Sequence, residues 1–240
     1  MPPERLFSPL PRIFQGKFPH ISTVINCAFS RSNQSQDLAS AIDFTQKLID
    51  GFKLGEVDSV INISSQGVYK RLPIGELSKE YSPIEPVDLY SMAKYAVEKT
   101  FETSGLPNVT NVRLASLNMK QRFLYHFVQK AKNNEIITVN SPNHYASILD
   151  VEDAAEALAR LALVSIDSRK SVYNLGTGNG YSVLDLVKNF DKEAFLKTAD
   201  CAKSLVLKLF SIAIISSSSK LLNGVLIFIG FIICLSIIQF

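Results

Sequence analysis

Short β-branched runs alternate with segments of helical periodicity along this chain, and this alternation restricts the fold more than any other feature. Two buried-type runs, 23–28 and 59–64, are followed by segments whose apolar residues recur every three to four positions, at 37–52 and 89–103. Strands and helices in this order form βαβ units, in which helices cover both faces of a parallel sheet. The sequence therefore predicts an α/β fold with a doubly wound parallel sheet.

The alternation continues to about residue 195. It predicts strands at 109–114, 136–139 and 172–175, helices at 123–133 and 150–163, and a helix that opens near Ser182 after a turn at Gly176 and Gly178. Beyond this region the chain becomes steadily more apolar. We therefore predict a boundary near Ser204, between a domain at 1–204 and a tail at 205–240.

The tail contains the most apolar segment of the protein. Residues 221–238 carry no charged side chain, and only Asn223 and Ser236 are clearly polar. This segment is long and apolar enough to predict a membrane-spanning helix at 221–238. The lysines closest to it all precede it, so the positive-inside tendency would keep 1–204 in the cytoplasm, anchored to the inner membrane. An apolar stretch without a membrane role is the alternative.

Charge and cysteine content exclude several classes of function. The 25 basic and 22 acidic residues are interspersed, so the net charge of +3 builds no single-sign surface for nucleic acid. A hydrophobic fraction of 47% is enough for a buried core, which excludes disorder as the dominant state. Cys27, Cys201 and Cys234 lie far apart with no histidine at ligand spacing, so we predict buried thiols in a reducing compartment and no metal site.

Three residues form the strongest chemical pattern. Ser65 directly follows the second predicted strand, and Tyr90 and Lys94 lie four residues apart on one face of the next helix. A phenol, with an ordinary pKa of about 10, is a poor base at neutral pH unless a nearby cation favours its phenolate. With Lys94 as that cation, Tyr90 moves a proton while the Ser65 hydroxyl holds the reacting oxygen. The same spacing also occurs on ordinary amphipathic helices, so the surrounding sequence decides between the two interpretations.

That surrounding sequence resembles the extended short-chain dehydrogenase/reductases, the NAD-dependent epimerase/dehydratase family that includes UDP-glucose 4-epimerase. The segments that carry the resemblance follow the family order. They are VINCA at 24–28, SVINISSQGVY at 59–69, PVDLYSMAKYAVEK at 86–99, NVTNVRL at 108–114, ILDVEDAAEAL at 148–158 and VYNLGTGNGYSVLDLV at 172–187. The resemblance covers about residues 20–190. It implies a Rossmann-like sheet with a small substrate-side region.

The resemblance also implies an activity and roles for individual residues. The reaction would be the NAD(P)-dependent epimerisation, dehydration or reduction of a nucleotide sugar, in polysaccharide or cell-surface sugar biosynthesis. Ser65, Tyr90 and Lys94 would be catalytic, and Gln66 and Ser116 would contact the substrate. The NAD or NADP cofactor, whose ribose Lys94 would orient, would be lined by Ala28, Ile63, Ser64, Tyr90, Lys94 and Leu114.

The start of the chain departs from the family pattern. Family members begin with a strand, a glycine-rich turn and a helix that bind the pyrophosphate, whereas the only glycine before Thr23 is Gly16. We therefore expect a partial, N-terminally truncated sheet that lacks its first three strands, an uncovered strand edge at 23–28, and weak NAD(H) binding. Three functions stay open: an active enzyme, a catalytically incomplete homologue or gene fragment, and a membrane-tethered docking protein. Assembly into a homo-oligomer is open as well.

Overall fold

Five parallel strands form the main sheet of the protein. The structure is a computed structural model, and it describes residues 21–29, 34–73, 75–118, 123–133, 135–139, 145–188 and 225–228. The strands are β1 (Thr23–Asn26), β2 (Ser59–Ser65), β3 (Val109–Leu114), β4 (Ser116–Leu117), β5 (Tyr145–Ala146), β6 (Ile148–Leu149), β7 (Val172–Leu175), β8 (Tyr181–Ser182) and β9 (Val225–Phe228). The helices are α1 (Ser35–Leu54), α2 (Leu89–Glu102), α3 (Phe123–Lys132), α4 (Val151–Leu163) and α5 (Val183–Lys188).

The strand order of the main sheet is β7-β3-β2-β1-β9. All four neighbouring pairs are parallel. Two short sheets, β4 with β6 and β5 with β8, lie outside it. The predicted α/β fold with a parallel, Rossmann-like sheet is therefore confirmed.

Helices cover both faces of the sheet because side chains alternate along each strand. On one face Val24 and Val60 belong to a buried core that includes Phe52 of α1 and Phe101 of α2. On the other face Ile25, Ile61 and Val112 pack with residues of α4, among them Leu158 and Ala162. Complete burial of a side chain such as Phe101 contributes about 1.5–3 kcal/mol.

A row of three buried asparagines crosses the sheet on the α2 side. Asn26 Nδ2 donates to Asn62 Oδ1 (3.0 Å), and Asn62 Nδ2 donates to Asn111 Oδ1 (2.8 Å). Asn111 Nδ2 donates to Glu102 Oε1 (3.1 Å), and Asn26 Oδ1 accepts from the backbone N–H of Ala28 (3.2 Å). Every amide therefore donates in the same direction, toward the end of α2. We call these three residues the asparagine row.

Two predicted elements differ from the structure. Residues 136–139, predicted as a strand, have no regular secondary structure. Val225–Phe228, inside the predicted membrane helix at 221–238, form β9 instead, so the helix prediction is wrong for these residues. The rest of 221–238 and the Ser204 boundary lie outside the described residues, in which no helix has the length and apolar character needed to cross a membrane.

The edge of β1 also differs from the expectation. We predicted an uncovered strand edge at 23–28, but β9 pairs with β1 in parallel, from Thr23 opposite Val225 to Asn26 opposite Phe228. Backbone groups of β1 are therefore paired on both sides, by β2 and by β9. A strand from the far end of the chain thus covers the edge that the sequence analysis left open.

Candidate active site

Ser65 ends β2 and begins a short 3-10 turn, Gln66–Val68. Its Oγ accepts a hydrogen bond from the backbone N–H of Gly67 (3.1 Å). A serine hydroxyl has one proton and two lone pairs, so accepting this bond leaves the proton available to donate to another group. The Ser65 hydroxyl is therefore able to donate a hydrogen bond at the carboxyl end of the sheet.

Tyr90 and Lys94 lie on the first turns of α2. Asp88 caps this helix, because its Oδ1 accepts from the Ser91 N–H at 2.8 Å. The first turn lies against the turn after Ser65, since a Cβ on Gly67 would be only 2.6 Å from Ser91 Oγ. Lys94 Nζ reaches β2 and donates to the carbonyl oxygen of Ile63 (2.8 Å). The structure thus brings the strand end with Ser65 and the helix with Tyr90 and Lys94 together.

Phe29 also belongs to this cluster, although the sequence analysis did not identify it. Its ring forms a T-shaped contact with the Tyr90 ring, with centroids 5.5 Å apart. The Lys94 ammonium lies over the same ring, 4.1 Å from its centroid. Its position in the sequence could have identified it, because Phe29 lies just beyond the end of β1 and Ser65 ends β2. The carboxyl ends of neighbouring parallel strands lie at the same edge of a sheet.

The charge of Lys94 also acts on Cys27, which follows β1. Burial raises the pKa of the Cys27 thiol to about 11, and the Lys94 ammonium lowers it only in part. The thiol therefore stays protonated at neutral pH. The Cys27 side chain is partly buried, whereas the sequence predicted a buried thiol. Cys201 and Cys234 lie outside the described residues.

A buried ion pair holds α2 to β3. Arg113 Nη2 of β3 lies 2.8 Å from Glu98 Oε2 of α2, and the Glu98 side chain is fully buried. Arg113 Nη1 also donates to the Tyr69 hydroxyl (2.9 Å), which donates in turn to Asn174 Oδ1 (2.7 Å). Burial disfavours the Arg113 charge, but the bonds to Glu98 and Tyr69 outweigh it and raise its pKa above the ordinary value. Glu98 lies one turn after Lys94, so this pair fixes the helix that carries the site.

The same network holds the loop that precedes α2. Arg113 Nη1 donates to the carbonyl oxygen of Glu80 (3.2 Å), and Glu80 Oε1 accepts from the backbone N–H of Asn174 (2.9 Å). That backbone bond is the main cause that lowers the pKa of Glu80. The loop between β2 and α2 is therefore attached to both β3 and β7.

The other residues predicted to line a cofactor lie at the same edge of the sheet. Leu114 pairs in register with Ser65, and Ala28 is buried just beyond β1. The Ser64 side chain is 3% exposed, and its Oγ has no hydrogen-bond partner among the described residues. A buried hydroxyl without a partner costs about 1–3 kcal/mol, so a polar ligand at this strand end would be favoured. In chemical terms the hydroxyl, phenol and ammonium present here fit the ribose of a nicotinamide cofactor.

The two residues predicted to bind substrate lie beyond the ends of β2 and β3. Gln66 opens the turn after Ser65 and is half-buried. Ser116 lies in β4, and its backbone N–H donates to the carbonyl oxygen of Ser147 (3.1 Å). Gly176, after β7, passes close by, since a Cβ there would be 3.2 Å from Ala115 Cβ. Their roles toward a substrate stay predictions.

A family model describes most of this chain. The model of the NAD dependent epimerase/dehydratase family matches residues 12–176. This range includes Ser65, Tyr90 and Lys94 as well as β1, β2, β3 and β7. No curated protein sequence matches the chain.

Solved structures with a similar fold include two UDP-sugar 4-epimerases and an enzyme in complex with NAD and UDP. The Bordetella bronchiseptica enzyme WbmG, in complex with NAD and UDP, is 23% identical with a TM-score of 0.59, over 70% of this chain and 55% of that one. UDP-glucose 4-epimerase from Thermotoga maritima, with UDP-glucose, is 21% identical with a TM-score of 0.58, over 70% and 59%. UDP-N-acetylglucosamine 4-epimerase from Bacillus cereus is 19% identical with a TM-score of 0.57, over 69% and 60%. The chain therefore spans less than two thirds of the length of each of these three structures.

Proposed function

This chain belongs to the NAD-dependent epimerase/dehydratase family, and on that premise we propose that it acts on the sugar of a nucleotide sugar. Tyr90 moves a proton to or from a sugar hydroxyl, and the Ser65 hydroxyl donates to the same oxygen. Because nucleotide sugars are the donors for glycosyl transfer, the proposal includes a role in cytoplasmic synthesis of polysaccharide or cell-surface sugars. UDP-sugars are the substrates to test first, since similar structures contain UDP or UDP-glucose.

One observation carries the proposal: the first turn of α2 lies against the turn after Ser65. The two turns are so close that a Cβ added to Gly67 would lie only 2.6 Å from Ser91 Oγ. Ser91 directly follows Tyr90 in the sequence. Lys94 follows Tyr90 by one helical turn and carries the positive charge of the cluster. A cation at this spacing favours the phenolate, which a phenol needs to act as a base near neutral pH.

The cofactor of the proposed reaction is NAD or NADP. Lys94, Tyr90 and Ser64 are the residues that would hold its nicotinamide ribose, because they place an ammonium and two hydroxyl groups at one edge of the sheet. When bound, the cofactor supplies the hydride transfer that no protein side chain provides. The residues of the chain orient the sugar and move the proton.

A binding protein without turnover is the second candidate. It is favoured by the cover over Lys94, whose ammonium lies 4.1 Å from the centroid of the Phe29 ring. In that case the chain would bind a nucleotide sugar, and Tyr90 would serve only as a hydrogen-bond donor.

Replacement of Tyr90 by phenylalanine separates the two candidates. The full chain is incubated with NAD+ and either UDP-glucose or UDP-N-acetylglucosamine, and the sugar product is followed by mass spectrometry. An enzyme should lose roughly 100-fold or more of kcat in Tyr90→Phe, because only the titrating hydroxyl is removed. Tyr95→Phe, on the same helix beside Lys99, is the matched control and should keep full activity.

The thermal midpoint of Tyr90→Phe should stay close to that of the unchanged protein, which excludes unfolding as the cause of the loss. Activity within about threefold of the unchanged protein would remove Tyr90 from the mechanism. If the unchanged chain converts neither sugar but binds one of them in calorimetry, the binding candidate replaces the enzyme.

A further inference from the structure

The ammonium of Lys94 is enclosed rather than presented to solvent. The residue is 6% exposed, and its Nζ donates to the carbonyl oxygen of Ile63 (2.8 Å). The Phe29 ring covers another side of it, with the centroid 4.1 Å from Nζ. A cation over the face of an aromatic ring is held by the negative potential of that face. Lys94 is therefore retained by contacts within the protein in this conformation.

Phe29 is itself held in place. Its side chain is 6% exposed and belongs to the core that contains Val24, Phe52 and Val97. Its ring is nearly perpendicular to the Tyr90 ring (85°), and one of its faces lies toward Lys94. The ring is thus a packed part of the structure, and its removal from Lys94 requires a rearrangement of this core.

We propose that Phe29 controls access to Lys94 and that a ribose hydroxyl binds the side of the ammonium that the ring covers, since the carbonyl oxygen of Ile63 takes another side. The inference rests on the proposed function, in which Lys94 holds the ribose of a nicotinamide cofactor. The ligand and the ring compete for the same face of the same cation. Only the fraction of molecules in which the ring has left Lys94 binds the ligand, so the apparent affinity is reduced by that fraction.

Replacement of Phe29 should therefore open the site. Phe29→Leu keeps an apolar side chain in the core but has no aromatic face, and Phe29→Ala removes most of the side chain. Both should expose Lys94 and tighten the binding of NADH. Phe29→Tyr keeps the ring and is the matched control, in which neither property should change.

The first test measures the exposure of Lys94 without any ligand. The full-length variants are treated briefly with formaldehyde and a borane reductant, and the methylation of each lysine is followed by peptide mass spectrometry. We expect Lys94 to react at least 10-fold faster in Phe29→Leu and Phe29→Ala than in the unchanged protein. Lys99, an exposed lysine on the same helix, serves as the internal control and should react equally in all variants.

The second test adds NADH to the same reaction. We expect NADH to slow methylation of Lys94 in Phe29→Leu and to bind this variant at least 10-fold more tightly in calorimetry than it binds the unchanged protein. If Lys94 is methylated at the same rate in the folded Phe29→Leu variant as in the unchanged protein, the proposal that Phe29 shields Lys94 is wrong. Faster methylation without any protection by NADH would support the cover and count against the cofactor site of the proposed function.

Discussion

Gly67 lies at the contact between the turn after β2 and the first turn of α2, where its missing side chain leaves room for Ser91. A Cβ at this position would be 2.6 Å from Ser91 Oγ and 3.4 Å from Ser65 Oγ, yet 3.6 Å from Ser91 Cβ. Only the first of these distances is far below ordinary contact. The Ser91 hydroxyl is therefore the atom that excludes a side chain from residue 67.

This geometry predicts a rescue between two variants. Gly67→Ala should lower stability by roughly 1–3 kcal/mol, because the new methyl group collides with Ser91 Oγ in a packed contact. Ser91→Ala removes that oxygen, so the double variant should recover most of the loss. Thermal unfolding followed by circular dichroism measures all four proteins. A double variant no more stable than Gly67→Ala would show that another contact excludes the side chain.

At the scale of single residues, sequence patterns identified the candidate catalytic residues but not the residues that pack around them. Tyr90 and Lys94 could be predicted as neighbours because four residues make one turn of α2. The ring of Phe29 contacts Lys94 only because β1 and β2 are adjacent in the sheet, and no local spacing carries that information. The same holds for Gly67, whose constraint comes from a helix that begins more than twenty residues later.

At the scale of elements, the asparagine row joins three strands to the end of α2. Its middle member, Asn62, accepts from Asn26 and donates to Asn111. All three side chains are buried, and no apolar residue could replace these bonds. The row also holds the backbone of Ala28, just before Phe29, through Asn26 Oδ1. It therefore connects the packing of α2 with the chain segment that covers Lys94.

Replacement of Asn62 by leucine should be strongly destabilising. It leaves the side-chain atoms Asn26 Nδ2 and Asn111 Oδ1 buried without their partners. Each lost partner should lower the free energy of unfolding by about 1–3 kcal/mol. Asn133→Leu, at an exposed position after α3, is the control and should change stability by less than about 0.5 kcal/mol. Urea denaturation measures both variants. A loss below about 1 kcal/mol in Asn62→Leu would mean that the row contributes little.

Elements with strong local patterns matched the structure, and those that depend on distant partners did not. The strands predicted at 109–114 and 172–175 coincide with β3 and β7, because both are continuous runs of strand-forming residues within βαβ units. Residues 136–139 have similar composition but no paired neighbour in the described structure. The segment at 225–228 is apolar enough for a helix or a strand, and its pairing with β1 decides between them.

At the scale of the whole molecule, β9 completes the sheet beyond β1. Backbone N–H and C=O groups of an uncovered strand edge pair readily with other chains, and β9 occupies that edge along all four residues of β1. The protection of this edge depends on a segment far from the rest of the domain in sequence. The oligomeric state should therefore respond to changes in the tail.

Truncation at two points tests this dependence. A chain ending at Ser219 lacks β9, whereas a chain ending at Phe228 keeps it and is the matched control. We expect self-association in light scattering and at least 10-fold faster amide hydrogen exchange in Thr23–Asn26 for the shorter chain only. The amides of β2 serve as the internal reference, because β2 has neighbours on both sides in either chain. Equal exchange in Thr23–Asn26 of the two chains would contradict the pairing of β9 with β1.

The pairing of β1 with β9 also sets an order of events during synthesis. Thr23 pairs with Val225, about 200 residues later, while β1 and β2 are separated by a single helix. At a translation rate of roughly 5–20 residues per second, β1 and β2 exist for about 10–30 seconds before β9 is made. The nascent chain must therefore pass through a period with an open sheet edge, when chaperone binding or pairing with a neighbouring nascent chain competes with the native contact. Slower translation of the region before β9 should lengthen this period and lower the yield of folded protein.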